Sequence, residues 1–236
     1  MKDDARSPKA TLKEHLKTAV LTLSMKPGAD LDEATLSDEF SLSRTPLREV
    51  FRQLAGEGYL ELRENRGARV SEMSYTTLRD FFLAAPMVYG AILRLAALNA
   101  TAALIDDLKG AQQTFEAALR SGSGADRALA NNRFHEITGD MADNTYLLPS
   151  FKRLLIDHAR IGMTFYRPKD QVVADNLSVA SAHHDAIIAA IEASDEAAAG
   201  QLAIDHWNLS RDQIELFVTP AGLDLPLGTV AHKTPA

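Results

Sequence analysis

"LSRTPLREVFRQLAGEGYLELRENRGARV" (Leu42–Val70) concentrates six arginines, Arg44, Arg48, Arg52, Arg63, Arg66 and Arg69, in a chain of formal net charge -7. Leu47, Val50, Phe51 and Leu54 recur as one face of a helix does, and Gly56 and Gly58 end the pattern. Ser43 stands where that helix should begin, as its cap. Arg44, Arg48 and Arg52 recur every four residues on the opposite face. "YLELRE" then alternates like a strand, "NRG" turns the chain and "ARVSEM" returns, which predicts a two-stranded wing. Upstream, Leu12, Leu16, Ala19, Val20 and Leu23 predict a helix ended by "KPG" (Lys26–Gly28). Asp32 should cap a short second helix with Leu36 and Phe40 facing inward, and "SLS" (Ser41–Ser43) is the turn after it. Residues 1–73 therefore read as a winged helix-turn-helix.

That arrangement gives the arginines a use. An arginine at the start of an exposed helix can fork onto guanine O6 and N7, or onto phosphate. Ser43, Thr45 and the helix N-terminus suit phosphate oxygens. Gly67 lets the wing backbone approach a groove closely. The competing reading is a solvated face on which Arg48–Glu49 and Arg52–Glu57 are mere neighbours. The preceding helix, the tight turn and the basic wing favour duplex DNA.

From Ser74 onward every long pattern is helical, with helices expected at Thr76–Ala103, Ile105–Arg120, Ala125–Met141, Leu147–Phe165, Asn176–Ala193 and Asp195–Phe217. Residues 74–218 are thus a second, all-α domain, kinked or broken at Pro86, and 219–236 a flexible tail rich in proline and glycine. Leu83–Ile105 is long enough to span a membrane, but Arg94 near its middle argues for a buried helix and no membrane partner. The absence of cysteine excludes disulfides and thiolate metal ligands. "MKDDARSPKA" lacks the apolar core of a signal peptide, so a cytoplasmic location is expected. Most of the acid excess follows Glu72, which leaves the arginine-rich third near neutral.

Three histidines in the second domain face inward by periodicity. Asn131 and His135 are four apart beside Phe134, Ile137, Thr138 and Met141. His184, Ile187, Ile188 and Ile191 follow helical spacing, so His184 points inward and His183 is the more exposed of the pair. His206 shares a face with Leu202, Leu209 and Gln213. A lone histidine on such a face is usually a hydrogen-bonded core residue. Three on three helices of one domain raise the case for a metal, and nitrogen with side-chain oxygen suits zinc, nickel, iron or manganese rather than calcium.

"PG..L", "SRTPLRE", "L..EGYL" and "RGARV" together resemble the DNA-binding domain of the GntR family of bacterial transcription regulators. The resemblance implies base or phosphate contacts by Ser43, Arg44, Thr45 and Arg48, with Arg66 and Gly67 on the wing. Some relatives carry a further arginine where this chain has Ala34. "RFHEITGDMADN" and "HDAIIAAIEASDEAAAGQLAIDHW" resemble the FCD effector domain of the FadR-type branch. That resemblance implies an antiparallel helical bundle with a divalent metal on His135, His184 and His206. Asn131 falls where relatives have an acid, and a neutral amide makes metal occupancy less certain. Ala85 and Tyr89 replace the arginine and glutamate that relatives often place on the first helix, leaving Arg94 and Arg160 as candidates to hold an effector carboxylate. The implied function is a dimeric repressor on a palindromic operator that senses a small organic acid. The alternatives are a metal-free DNA-binding regulator with a vestigial pocket, and a histidine-metal hydrolase, for which no general base is placed by spacing.

Overall fold

The computed structural model describes the backbone of residues 7–64, 66–165 and 171–218, and the side chains of 7–64, 66–163 and 176–209. The tail expected over 219–236 lies outside the described residues.

The fold is mostly helical, with a small N-terminal head and a C-terminal bundle. In the head, α1 (Pro8–Leu21) is capped by Ser7 and buries Leu12, Leu16, Ala19 and Val20. It stops at Leu21, earlier than "KPG", because the chain turns at Thr22 and Leu23 takes a positive φ of 56°. The short α2 (Glu33–Glu39) starts at Asp32, whose carboxylate accepts from the Ala34 and Thr35 amides. The recognition helix α3 (Arg44–Glu57) buries Leu47, Val50, Phe51 and Leu54, and ends at Gly58, whose φ of 93° suits a residue without Cβ. Strands β1 (Leu60–Arg63) and β2 (Gly67–Val70) pair antiparallel with Leu60 opposite Val70 and Arg63 opposite Gly67.

Charge is sorted across the head. The α3 carboxylates do not neutralise the neighbouring arginines. Glu49 pairs with Lys9 of α1, and Glu57 pairs with Lys13 and Lys17. The basic face of α3 is left outward.

The bundle contains α4 (Tyr75–Asn99), α5 (Ala102–Ser121), α6 (Gly124–Ala142), α7 (Leu147–Phe165), α8 (Gln171–Glu192) and α9 (Glu196–Val218). Helix α4 packs on α9, α6 and α7, and its Phe81, Phe82, Ala85, Tyr89 and Ile92 lie in the core. By length and composition α4 could cross a membrane; here it is the central helix of the bundle. Pro86 does not break it, because one lost backbone bond is outweighed by buried neighbours on both sides. It ends at Asn99, short of the expected Ala103, because Ala100 is extended and Thr101 caps α5. The pairs α5/α6, α6/α7 and α8/α9 pack across short connections and so run antiparallel.

Helix α7 is a shared wall. Its Ile156 and Ala159 complete the apolar core of the head, whereas Leu155 and Ile161 belong to that of the bundle. Between these faces the Arg160 guanidinium is fully buried. It donates to Ser71 O at 2.6 Å, to Ser71 Oγ at 3.1 Å and to Asp157 Oδ1 at 3.1 Å. Arg153 holds the other Asp157 oxygen at 2.9 Å. Burial pushes the Asp157 carboxyl above its ordinary value despite both guanidiniums.

Candidate functional site

On the head, Ser43, Arg44, Thr45 and Arg48 are all exposed at the start of α3. Ser43 is the cap residue by position, yet its hydroxyl makes no capping bond, so it is available to a ligand. Arg48 is held by Glu33 of α2, with Nη2 3.1 Å from the carboxylate. A groove of about 360 Å³ runs between α3 and the wing, lined by Glu33, Arg48, Phe51, Arg52, Arg63 and Gly67 among others. Gly67 has φ 74°, a left-handed conformation that favours glycine.

The wing arginines divide. Arg69 sits directly opposite Glu61 and pairs with it at 2.7 Å, and also with Glu72. Arg63 pairs with Asp30. Arg66 is exposed and, like Arg44 and Arg52, makes no ion pair among the described residues. Sequence spacing put all three on the wing and did not separate the tethered ones from Arg66.

In the bundle, α6 supplies Asn131 and His135, α8 supplies His184, and α9 supplies His206. The structure brings the three histidines together: their nearest ligand atoms all lie within 4.8 Å of one another. Ring centroids are 5.4 Å apart for His135–His184, 4.9 Å for His184–His206 and 5.4 Å for His135–His206. His184 is 0% exposed, His135 2% and Asn131 3%, so bulk solvent does not reach their polar atoms. Yet Asn131 Oδ1, His135 Nε2, His184 Nε2 and His206 Nδ1 have no hydrogen-bond partner. Buried polar atoms are as a rule paired. A divalent ion that takes nitrogen and oxygen ligands fits three of these orphans directly, and Asn131 lies one helical turn before His135. His183 is half-buried, with its ring 5.9 Å from His206 and its Nδ1 also unpaired, so it lies nearer the cluster than periodicity suggested.

Burial holds these imidazoles neutral, the form that binds metal. Desolvation first, and the neighbouring histidines second, push His135 and His184 well below the ordinary histidine range and His206 down to about 3. A fourth histidine was missed in the sequence. His158 on α7 lies 5.3 Å from the His135 ring, and burial lowers it to about 4. Its spacing with Phe151 and Leu155 (i, i+4, i+7) is the signal that marks it as inward-facing. Its Nδ1 bonds the Tyr89 hydroxyl at 2.7 Å. Ala85 and Tyr89, where an arginine and glutamate were looked for, thus present a buried methyl and a phenol–imidazole pair.

Neither candidate effector arginine joins this cluster. Arg160 is fixed at the seam with the head, because Ser71 and Asp157 offer a buried guanidinium partners that the apolar bundle core lacks. Arg94 is exposed on α4, packed over Gly200 of α9.

A winged helix-turn-helix joined to a helical bundle with a buried polar cluster defines a DNA-binding regulator with a sensing domain. Residues 8–70 match the family described as "Bacterial regulatory proteins, gntR family", and residues 87–209 match the "FCD domain". The chain belongs to the GntR family of transcription regulators, in its FadR-type branch with a C-terminal FCD domain. It is 30% identical over 171 residues, 71% of either chain, to the "Probable D-xylose utilization operon transcriptional repressor" of Paenarthrobacter nicotinovorans. It is 24% identical to the "HTH-type transcriptional repressor RspR" of Escherichia coli (strain K12), over 71% of this chain and 75% of that one. Among solved structures, E. coli McbR/YncC shares the fold with a TM-score of 0.74 at 16% identity, covering 89% of this chain and 98% of that one.

The depressed histidines have a consequence for the metal-free protein. In the unfolded chain they take up protons near pH 6.5; in the folded chain burial makes all four resist, His158 until about pH 4 and His206 until about pH 3. Their contribution is intact above pH 6.5 and is lost as pH falls from there towards 4, each group costing up to about 1.4 kcal/mol per pH unit. Urea midpoints of chelator-treated protein should fall steeply between pH 6.5 and 4, and replacing His158 by Gln should flatten the slope.

Proposed function

We propose that the chain is a repressor that binds a palindromic operator as a homodimer, and whose FCD domain senses a small carboxylate through a divalent transition metal. The head is taken as residues 1–73 and the effector domain as 74–218. Two symmetric heads match an inverted repeat. Leu83, Met87 and Leu98, exposed along one face of α4, are apolar surface suited to a second copy. Repression follows the printed roles of the two relatives above, and a DNA-bound regulator of bacterial type works in the cytoplasm.

On the DNA side, Arg44 and Arg48 read bases or grip phosphate from the start of α3. Ser43 and Thr45 take phosphate, and Arg66 and Gly67 follow the groove from the wing. Their exposure and the unused Ser43 hydroxyl support these roles. A bidentate arginine–guanine contact contributes about 1–3 kcal/mol. Arg44→Ala and Arg48→Ala should each weaken binding to an operator selected from random duplexes by tenfold or more per half-site at fixed salt, with unchanged circular dichroism. Near-normal affinity in both variants would sink the assignment.

The observation that carries the sensing side is the convergence of buried His135 and His184 with half-buried His206, each with one buried ring nitrogen that lacks a hydrogen-bond partner. His135, His184 and His206 would hold zinc, nickel, iron or manganese, with Asn131 adding an amide oxygen. The bound ion would supply positive charge and open coordination positions for an anion. Helix α7 provides a route to the head. Its His158 faces the cluster, while Ile156, Ala159 and Arg160 on its other sides are built into the head. An effector that favours one position of α7 then favours one placement of α3, which is the differential affinity that coupling requires.

Asn131 makes the charge balance distinctive. Three neutral imidazoles and an amide leave a divalent ion's charge uncompensated, so metal and carboxylate should each tighten the other's binding. Asn131→Asp should strengthen metal binding and weaken that linkage, measured by calorimetric titration of metal with and without small carboxylic acids. Unchanged metal affinity in Asn131→Asp would remove residue 131 from the ligand set.

A further inference from the structure

Gln112 on α5 is 4% exposed and faces α8. Its Nε2 carries two protons and meets three acceptors: Ser181 O at 3.1 Å, Ser181 Oγ at 3.0 Å and Asp185 Oδ1 at 3.0 Å. Its Oε1 lies 2.9 Å from His184 Nδ1. The reverse amide orientation would set an oxygen against a carbonyl and a carboxylate, with no proton between them. The α8 acceptors therefore decide which end of the amide faces the imidazole.

An amide oxygen can only accept, so the proton on this bond belongs to His184 Nδ1. A neutral imidazole has one such proton, and Nε2 is left with its lone pair. Nε2 is the His184 atom that is buried without a partner. The plane of the ring is set by stacking on Phe134, at 3.8 Å with planes 7° apart. Free histidine in water favours the opposite tautomer, with the proton on Nε2, so the arrangement is imposed by the protein.

We propose that Gln112 is a positioning residue that fixes the Nδ1–H tautomer of His184, so that Nε2 stands ready as a metal ligand before any ion arrives. This rests on the metal reading above. The oriented amide spares the site a tautomer change on binding, and its acceptor bond raises the basicity of Nε2. Ser181 and Asp185 act one step further out, by orienting Gln112.

Nitrogen-15 spectra of metal-free, histidine-labelled protein test this directly, with His184 assigned by its loss in His184→Ala. Wild type should show His184 protonated at Nδ1. Gln112→Leu, of similar size, should move the proton to Nε2 and weaken Zn(II) binding by about 10–100-fold, with the circular dichroism and melting temperature of a folded bundle. Wild-type His184 protonated at Nε2, or Zn(II) affinity unchanged in Gln112→Leu, would overturn the proposal. A wild type with the Nδ1–H tautomer that takes up no Zn(II) would refute the metal reading itself and leave Gln112 without a ligand to position.

Discussion

The guanidinium of Arg160 ties the head to the bundle with hydrogen bonds, across a seam that is otherwise largely apolar among the described residues. It is completely buried, it reaches 89 residues back to Ser71 at the end of the wing, and it shares Asp157 with Arg153. Removing one partner of such a buried pair typically costs about 3–5 kcal/mol, a large part of the net stability of a domain. The clamp is also directional, because each oxygen of Ser71 receives its own N–H. It locks the base of the wing to the same helix that carries His158 into the bundle. Sensor and reader are therefore built on opposite sides of one element, and displacement of that element must be felt on both.

The second constraint is the rule that buried polar atoms need partners. The bundle satisfies it for Gln112, Tyr89 and Nδ1 of His158 and His184, and leaves it unmet at the atoms facing the centre of the cluster. Neutral histidines are cheap to bury compared with a carboxylate, which explains how an interior without a buried acid at residue 131 can be stable without a ligand. In the proposed metal centre the Asn131 amide would leave a divalent ion's charge uncompensated. On the head the lysines of α1 absorb the α3 carboxylates and leave Arg44 and Arg52 without an ion pair among the described residues, while Arg48 is held by Glu33.

Much of this was legible in the chain, because the decisive signals are local. The apolar period of Leu47, Val50, Phe51 and Leu54, the Asp32 cap, the glycine stop at Gly58 and the alternation of the wing fall within short windows. The inward orientation of His135, His184 and His206 follows from spacing alone, and the structure brings these three together. What failed was non-local or depended on unusual backbone. The end of α1 rests on a positive φ at Leu23, which no turn residue announces. The break after Asn99 has neither glycine nor proline. Arg160 was assigned by charge to an effector, and only its distant partner Ser71 reveals the seam. The inward face of His158 was legible in its local spacing with Phe151 and Leu155, whereas its bond to Tyr89, 69 positions back, and that of Gln112 to His184, 72 positions on, were not.

We propose that His135, His184 and His206 form a metal centre inside a DNA-binding regulator. Titration of chelator-treated protein with Zn(II), followed by calorimetry and by mass spectrometry of the folded protein, tests it most directly. The protein should take up a single ion per chain and release it as the pH is lowered through the range in which the ligand imidazoles protonate. The ion should also be lost from the triple variant His135→Ala, His184→Ala, His206→Ala. No uptake by the wild type, or equal uptake by the triple variant, would contradict the proposal.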